Sequence, residues 1–286
     1  MEKEKLTSHM SCITFGKDNM PAIQVKNEFC TGIISPFGAH VLSYIPANGE
    51  EVMMISALSG TDPNPIRGGV PICWPWFGKI RLPGHGLARL KVWELADARI
   101  EADGSDTLVF RLHLKEDDWD IKAEFLVRFG ATLAMELTTI NDTDKAIEYS
   151  EALHTYFKVG DSSSITVKGL KGFPYLDTVG GKNTPNCINK EDLKIAAEVD
   201  FVYQNPNTVE IVDPSMNRTL LVEKRGSNTT VVWNPWIDKS IAMPDYGNEE
   251  YKEMVCVEAA NAKENARTLL PGQRHTLGQY ITVLPL

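Results

Sequence analysis

Apolar and polar side chains alternate with a period of two along most of this chain. No other feature restricts the fold as strongly, because such residues point to opposite faces of a strand. Leu108, Phe110, Leu112 and Leu114 alternate with polar or small neighbours, followed by Ile121, Ala123, Phe125, Val127 and Phe129, then by Leu133, Met135 and Leu137. Asp103-Gly104-Ser105 and Gly130 punctuate these runs as hairpin turns would. Further strands are predicted at 21–26, 30–35, 39–45, 91–101, 146–159, 208–213, 218–224, 229–233, 253–259 and 275–284. The stretch 189–199 has room for one short helix. Many short strands and few helices predict an all-β chain folded as a large antiparallel β-sandwich. With no linker, heptad or internal repeat, residues 1–286 read as a single domain, its first ten or so residues a flexible tail.

Hydrophobic residues make up 43% and charged ones 23%, which supports a core and excludes a disordered chain. A net charge of -9 argues against nucleic acid or an anionic membrane as partner, and any anionic substrate must be met by local cations. The start, Met1 to Lys5, is charged and leads into no apolar run, and no stretch of about 18 apolar residues occurs. A soluble, cytoplasmic protein is expected. Cys12, Cys30, Cys73, Cys187 and Cys256 are odd in number and scattered, as reduced, buried cysteines would be.

Two stretches depart from alternation and read as specialised loops, 60–86 with Trp74-Pro75-Trp76-Phe77, and 234–250 with Asn234-Pro235-Trp236 and Asp245-Tyr246-Gly247. Within 146–159, Leu153, Thr155 and Phe157 share one face, and Ala152, His154 and Tyr156 share the other. Within 254–260, Val255, Val257 and Ala259 oppose Cys256, Glu258 and Ala260. Alone, His154 reads as an ordinary strand histidine, and Glu258 as half of a buried ion pair or as a functional carboxylate, since burying it unpartnered costs several kcal/mol. Together they form a candidate general acid and base, although spacing does not show that they meet. Arg67, beside Gly68 and Gly69 that leave the backbone free to approach a ligand, and Arg89, with His85, are the best-placed cations for a phosphate, or else members of surface turns. Trp74 and Trp233 read as core or as apolar plates for a sugar ring. Asp200 reads as an exposed acid or an acceptor for sugar hydroxyls.

In this order the pieces resemble the hexose-6-phosphate mutarotases, or glucose-6-phosphate 1-epimerases, of the galactose-mutarotase-like superfamily. The most specific part is the run from Ile66 through Arg67-Gly68-Gly69-Val70-Pro71 and Trp74-Pro75-Trp76-Phe77 to Gly78. His85-Gly86-Leu87-Ala88-Arg89 with Trp93, Leu153-His154-Thr155-Tyr156-Phe157, Gly169-Leu170-Lys171-Gly172 with Tyr175 and Asp177, Val232 to Trp236, and Val257-Glu258 extend it over nearly the whole chain. The resemblance implies a twisted sandwich with a carbohydrate cleft on a concave face. It implies His154 as general acid, Glu258 as general base, Arg67 and Arg89 on the phosphate, and His85 and Asp200 on sugar hydroxyls. Some relatives carry Gln before the His-Gly-Leu-Ala-Arg run; here Gly84 lacks that side chain, which bears on substrate preference rather than chemistry.

The expected activity is therefore interconversion of the α and β anomers of a hexose 6-phosphate, glucose 6-phosphate first, by ring opening and reclosure. It would use no metal or organic cofactor, with a monomer acting on a small sugar phosphate. His154 is expected to titrate near the working pH. The alternatives are an aldose 1-epimerase for unphosphorylated sugars and a non-catalytic carbohydrate-binding or regulatory protein. A glycoside hydrolase is a more distant third, since only Glu258 stands out where two carboxylates are needed.

Overall fold

The alternating runs form three larger antiparallel sheets and a two-stranded one, Ile147–Tyr149 with Arg267–Leu269, in a computed structural model of the chain, which describes residues 6–116 and 119–286. The back sheet has eight strands in the order Thr166–Lys168, Val209–Asp213, Arg218–Arg225, Arg274–Pro285, Thr132–Ile140, Trp119–Phe129, Asp106–Glu116 and Glu94–Ile100. The front sheet runs Thr184–Ile188, Pro174–Asp177, Val199–Tyr203, Thr229–Asn234, Met254–Asn261, Glu151–Leu153 and Ile72–Cys73, with Tyr156–Lys158 also paired to Met254–Asn261. A third, four-stranded sheet takes its strands in chain order from Met10–Phe15 to His40–Pro46. Because the period is two, each large sheet sends one set of side chains inward. Phe110, Phe125, Leu137 and Ile281 from the back meet Leu153, Phe157, Val232 and Val257 from the front in one continuous buried cluster, which also takes in Val25 and Ile34 of the third sheet.

Several expectations need correction. Residues 6–9, placed in a flexible tail, are tied down: Thr7 Oγ1 accepts from the backbone of His9 and Met10, and His9 Nδ1 lies 3.1 Å from Asp106 Oδ2. The remainder of that expected tail, residues 1–5, lies outside the described residues. No helix forms over 189–199. Leu193 and Ile195 are buried two residues apart, and Leu193 exchanges backbone hydrogen bonds with Val167, so a period of two prevails there. The α-helix among the described residues is instead Trp236–Ala242, inside the stretch read as a loop. None of the described helices is long and apolar enough to cross a membrane. The single strand expected over 146–159 is three, Ile147–Tyr149, Glu151–Leu153 and Tyr156–Lys158. The last break falls where Thr155 N turns to Leu153 O while His154 N and Tyr156 N donate to Pro71 O and Gly69 O.

Gln279 joins the two large sheets. It is fully buried, its Oε1 accepts from Thr155 Oγ1 and its Nε2 donates to Val257 O at 3.0 Å. Thr155 follows His154 and Val257 precedes Glu258, so one back-sheet amide holds both segments that carry the candidate acid and base. Gln279→Met would leave a buried carbonyl and hydroxyl unpaired, at about 1–3 kcal/mol each. Urea unfolding is expected to show a loss of about 2–4 kcal/mol; a loss below about 0.5 kcal/mol would mean that the clamp contributes nothing.

Candidate active site

Strand register builds the site on the front sheet's outer face. Tyr156 pairs with Cys256, Cys256 with Trp233, and Trp233 with Asp200, so the four form a row across neighbouring strands. Leu153 pairs with Ala259 on the other side of the break, so the same register, continued between these pairs, sets His154 opposite Glu258. The alternation that turns Leu153, Phe157, Val255 and Val257 into the core therefore turns His154, Tyr156, Cys256 and Glu258 away from it.

His154 Nε2 and Glu258 Oε1 are 3.3 Å apart without forming a hydrogen bond, and 11% and 1% of their side-chain surface is exposed. Neither carboxylate oxygen of Glu258, nor Nδ1 of His154, has a hydrogen-bonding partner among the described residues. Buried polar atoms left without partners are costly and concentrate where function requires them. Burial, then the charge of Asp200, holds the Glu258 carboxyl well above the usual carboxylate range. Burial, then His85 and Arg67, holds the His154 imidazole well below its ordinary value, so the titration near working pH expected for it is displaced downward. These shifts favour a neutral pair that carries one proton, on Glu258.

The other side chains gather around this pair. The His154 ring stacks on Tyr156, with centroids 4.9 Å apart and planes at 15°, and meets His85 at 5.5 Å and Trp233 at 6.0 Å edge-on. His85 adopts a left-handed backbone (φ 64°), its Nδ1 lies 3.4 Å from Cys73 Sγ, and burial with the Arg89 charge lowers its pKa to about 3. Arg89, in a short 3-10 turn, donates from Nη2 to Gly84 O at 2.6 Å, so the position that lacks a glutamine contributes a backbone acceptor. Arg67 reaches Tyr156 Oη and Asp245. Lys239 Nζ lies 2.8 Å from Glu198, 3.7 Å from Asp200 Oδ2 and 6.0 Å over the Trp233 ring. Asn234 holds this segment in place, donating to Tyr251 O and Met254 O and accepting from Trp236 N.

His154, Glu258, Arg67, His85, Arg89 and Asp200 are thus brought to one face, with Trp233 as a wall. Trp74 is not there. It is fully buried between the sheets, where its Nε1 donates to Thr139 Oγ1 at 2.9 Å, so it has no face to offer a sugar. Gly68 and Gly69 do not open the backbone to a ligand either. A Cβ on Gly68 would stand 2.2 Å from Met54 O and one on Gly69 2.3 Å from Val41 O, so both are glycine because protein backbone passes there. Tyr156 was visible in the sequence only as a strand-face residue, and Lys239 not at all, since it lies in the short helix Trp236–Ala242 within a stretch read as a loop. A cavity of about 580 Å³ beside Trp76, Arg81 and Trp119 contains none of the six site residues. Among the described residues, no group of three or more His, Cys, Asp or Glu side chains could hold a metal ion.

A family model described as aldose 1-epimerase matches residues 21–282. Over 258 residues the chain is 36% identical to an Escherichia coli K12 protein named "Putative glucose-6-phosphate 1-epimerase", covering 86% of this chain and 84% of that one. Over 260 residues it is 34% identical to a Cenchrus ciliaris protein of the same name, covering 85% and 78% respectively. The crystal structure of a Salmonella typhimurium protein titled a "putative mutarotase" superposes with a TM-score of 0.89 at 31% identity, over 99% of this chain and 96% of that one. With a matching family model over most of its length and relatives above 30% identity over most of theirs, this chain belongs to the aldose 1-epimerase family.

Proposed function

We propose that this protein interconverts the α and β anomers of a hexose 6-phosphate, glucose 6-phosphate first, as a cytoplasmic, single-domain monomer. The observation that carries the chemistry is the buried His154 and Glu258 pair, 3.3 Å apart and otherwise unpartnered, on a face that also holds Arg67 and Arg89. O1 and O5 of a pyranose are both bonded to C1, so the groups that serve them must be close neighbours. The two carboxyl groups of a glycosidase stand about 5 Å or more apart.

In the forward half-reaction Glu258 takes the proton from the O1 hydroxyl while His154 gives one to O5. The C1–O5 bond breaks, and C1 becomes an aldehyde. Rotation about C1–C2 presents the other carbonyl face. Reclosure returns a proton from Glu258 to O1 and the O5 proton to His154, so protons balance over the cycle. The pair holds one proton throughout. Before ring opening it is on His154, and in the open-chain intermediate it is on Glu258, which is the arrangement that burial favours. The site is therefore biased toward the proton distribution of the intermediate, where stabilisation lowers the barrier. His85, held neutral, and Asp200 are placed to bond sugar hydroxyls, with Trp233 against the C–H face. The family relationship and the two arginines support the phosphorylated substrate over free sugar.

Two outcomes test this reading. Arg67→Ala and Arg89→Ala are each expected to lower kcat/KM for glucose 6-phosphate about a hundredfold, the size of a charge-assisted phosphate contact, and for free glucose about threefold or less. Equal losses on both sugars would place the arginines outside phosphate recognition. The pH profile of kcat/KM should be a bell bounded by protonation of His154 and ionisation of Glu258. Because the first pKa is lowered from 6.5 and the second raised from 4.5, the acid limb should fall below 6.5 and the alkaline limb above 4.5. An acid limb at or above 6.5 would contradict the assignment.

A further inference from the structure

The Arg67 guanidinium is already seated without a ligand. Its Nε donates to Asp245 Oδ2 at 3.2 Å and its Nη2 to Oδ2 at 2.9 Å and Oδ1 at 3.2 Å, a side-on fork onto one carboxylate. Its Nη1 donates to Tyr156 Oη at 3.1 Å. A guanidinium has five N–H donors. The Asp245 fork uses Nε and one hydrogen of Nη2, and Tyr156 uses one of Nη1. One N–H on each terminal nitrogen remains, and that pair is what a second oxyanion needs to be bound bidentately. Tyr156 stacks on His154, so one residue links the guanidinium to the catalytic pair.

We infer that Asp245 is a positioning residue for the proposed substrate's phosphate: with Tyr156 it fixes Arg67 so that its terminal N–H pair receives two phosphate oxygens. This rests on the hexose 6-phosphate reading and adds how the site selects that substrate class. Asp245 also offsets the formal charge of Arg67, whereas Arg89, bonded to the Gly84 carbonyl, has no carboxylate partner among the described residues. Phosphate is then recognised by the direction of the Arg67 donors as much as by charge. Such recognition discriminates against a carboxylate or sulfate placed at a different distance along the sugar. It also explains why a carboxylate is tolerated beside an anion-binding arginine.

The test uses the full chain and 1,5-anhydroglucitol 6-phosphate, which carries the phosphate but no anomeric hydroxyl and so reports binding without turnover. By calorimetry, Asp245→Asn is expected to weaken its binding about tenfold and Tyr156→Phe about threefold, whereas Asp245→Glu recovers part of the loss. Unphosphorylated 1,5-anhydroglucitol should weaken by less than about threefold in each variant. With glucose 6-phosphate as substrate, KM should rise in Asp245→Asn by more than kcat falls. Unchanged or tighter binding in Asp245→Asn would overturn the inference, since the carboxylate would then be idle or a competitor of the phosphate. So would equal weakening of both ligands, which marks a merely structural role. If Asp245→Asn loses its fold by circular dichroism, Tyr156→Phe, which removes one hydroxyl, decides between the same outcomes. Wild type that binds the phosphorylated analogue but leaves anomer exchange unaccelerated would sink the catalytic reading alone. Wild type that exchanges anomers with a normal Asp245→Asn would sink this inference alone.

Discussion

The register between the strand Met254–Asn261 and the two short strands on either side of His154 is the constraint on which the site depends. The pairings Leu153 with Ala259 and Tyr156 with Cys256 leave His154 opposite Glu258. A slip of one residue would exchange the two faces of a strand, turning Glu258 into the core and Val257 out of it. The apolar inner residues oppose that slip, and Gln279, bonded to Thr155 and to Val257 from the other sheet, opposes it through hydrogen bonds. Packing and chemistry are thus specified by the same alternation, read on opposite faces.

The electrostatics follow from that placement. A carboxyl and an imidazole taken out of water beside one another resist charge, and the neighbouring Arg67, Arg89 and Asp200 push in the same directions, the arginines against a charged imidazole and the aspartate against a charged carboxylate. The result is a pair with one proton to pass back and forth, which suits a reaction whose two halves are mirror images in proton traffic. The net charge of -9 does not prevent an anion from binding, because the cations that matter are few and fixed by hydrogen bonds.

Much of this was legible in the sequence wherever the governing physics is local. Alternation gave most strands and the outward faces of His154 and Glu258, because side-chain direction in a strand depends on nearest neighbours alone. What depended on distant segments was not legible. Trp74 sits in a Pro- and Gly-rich run with the look of a binding loop, yet Thr139 of the other sheet and the core around it take its ring. Gly68 and Gly69 beside Arg67 fit a ligand approach as well as they fit the passage of Met54 and Val41, and only the packing separates the two. The stretch 189–199 had room for a short helix, yet Leu193 pairs with Val167 of the back sheet. The partnership of Arg67 with Asp245 joins two irregular segments, and no spacing rule connects them.

The central claim is that His154 and Glu258 share one proton and together open and close the sugar ring. Magnetisation exchange between the α and β anomeric protons of glucose 6-phosphate tests it most directly, on wild type, His154→Ala and Glu258→Gln. The account requires enzyme-dependent exchange in wild type that falls to the spontaneous rate in both variants, with their folds intact. Exchange that survives either substitution, or a folded wild type that accelerates nothing with glucose 6-phosphate, glucose or galactose, would contradict it.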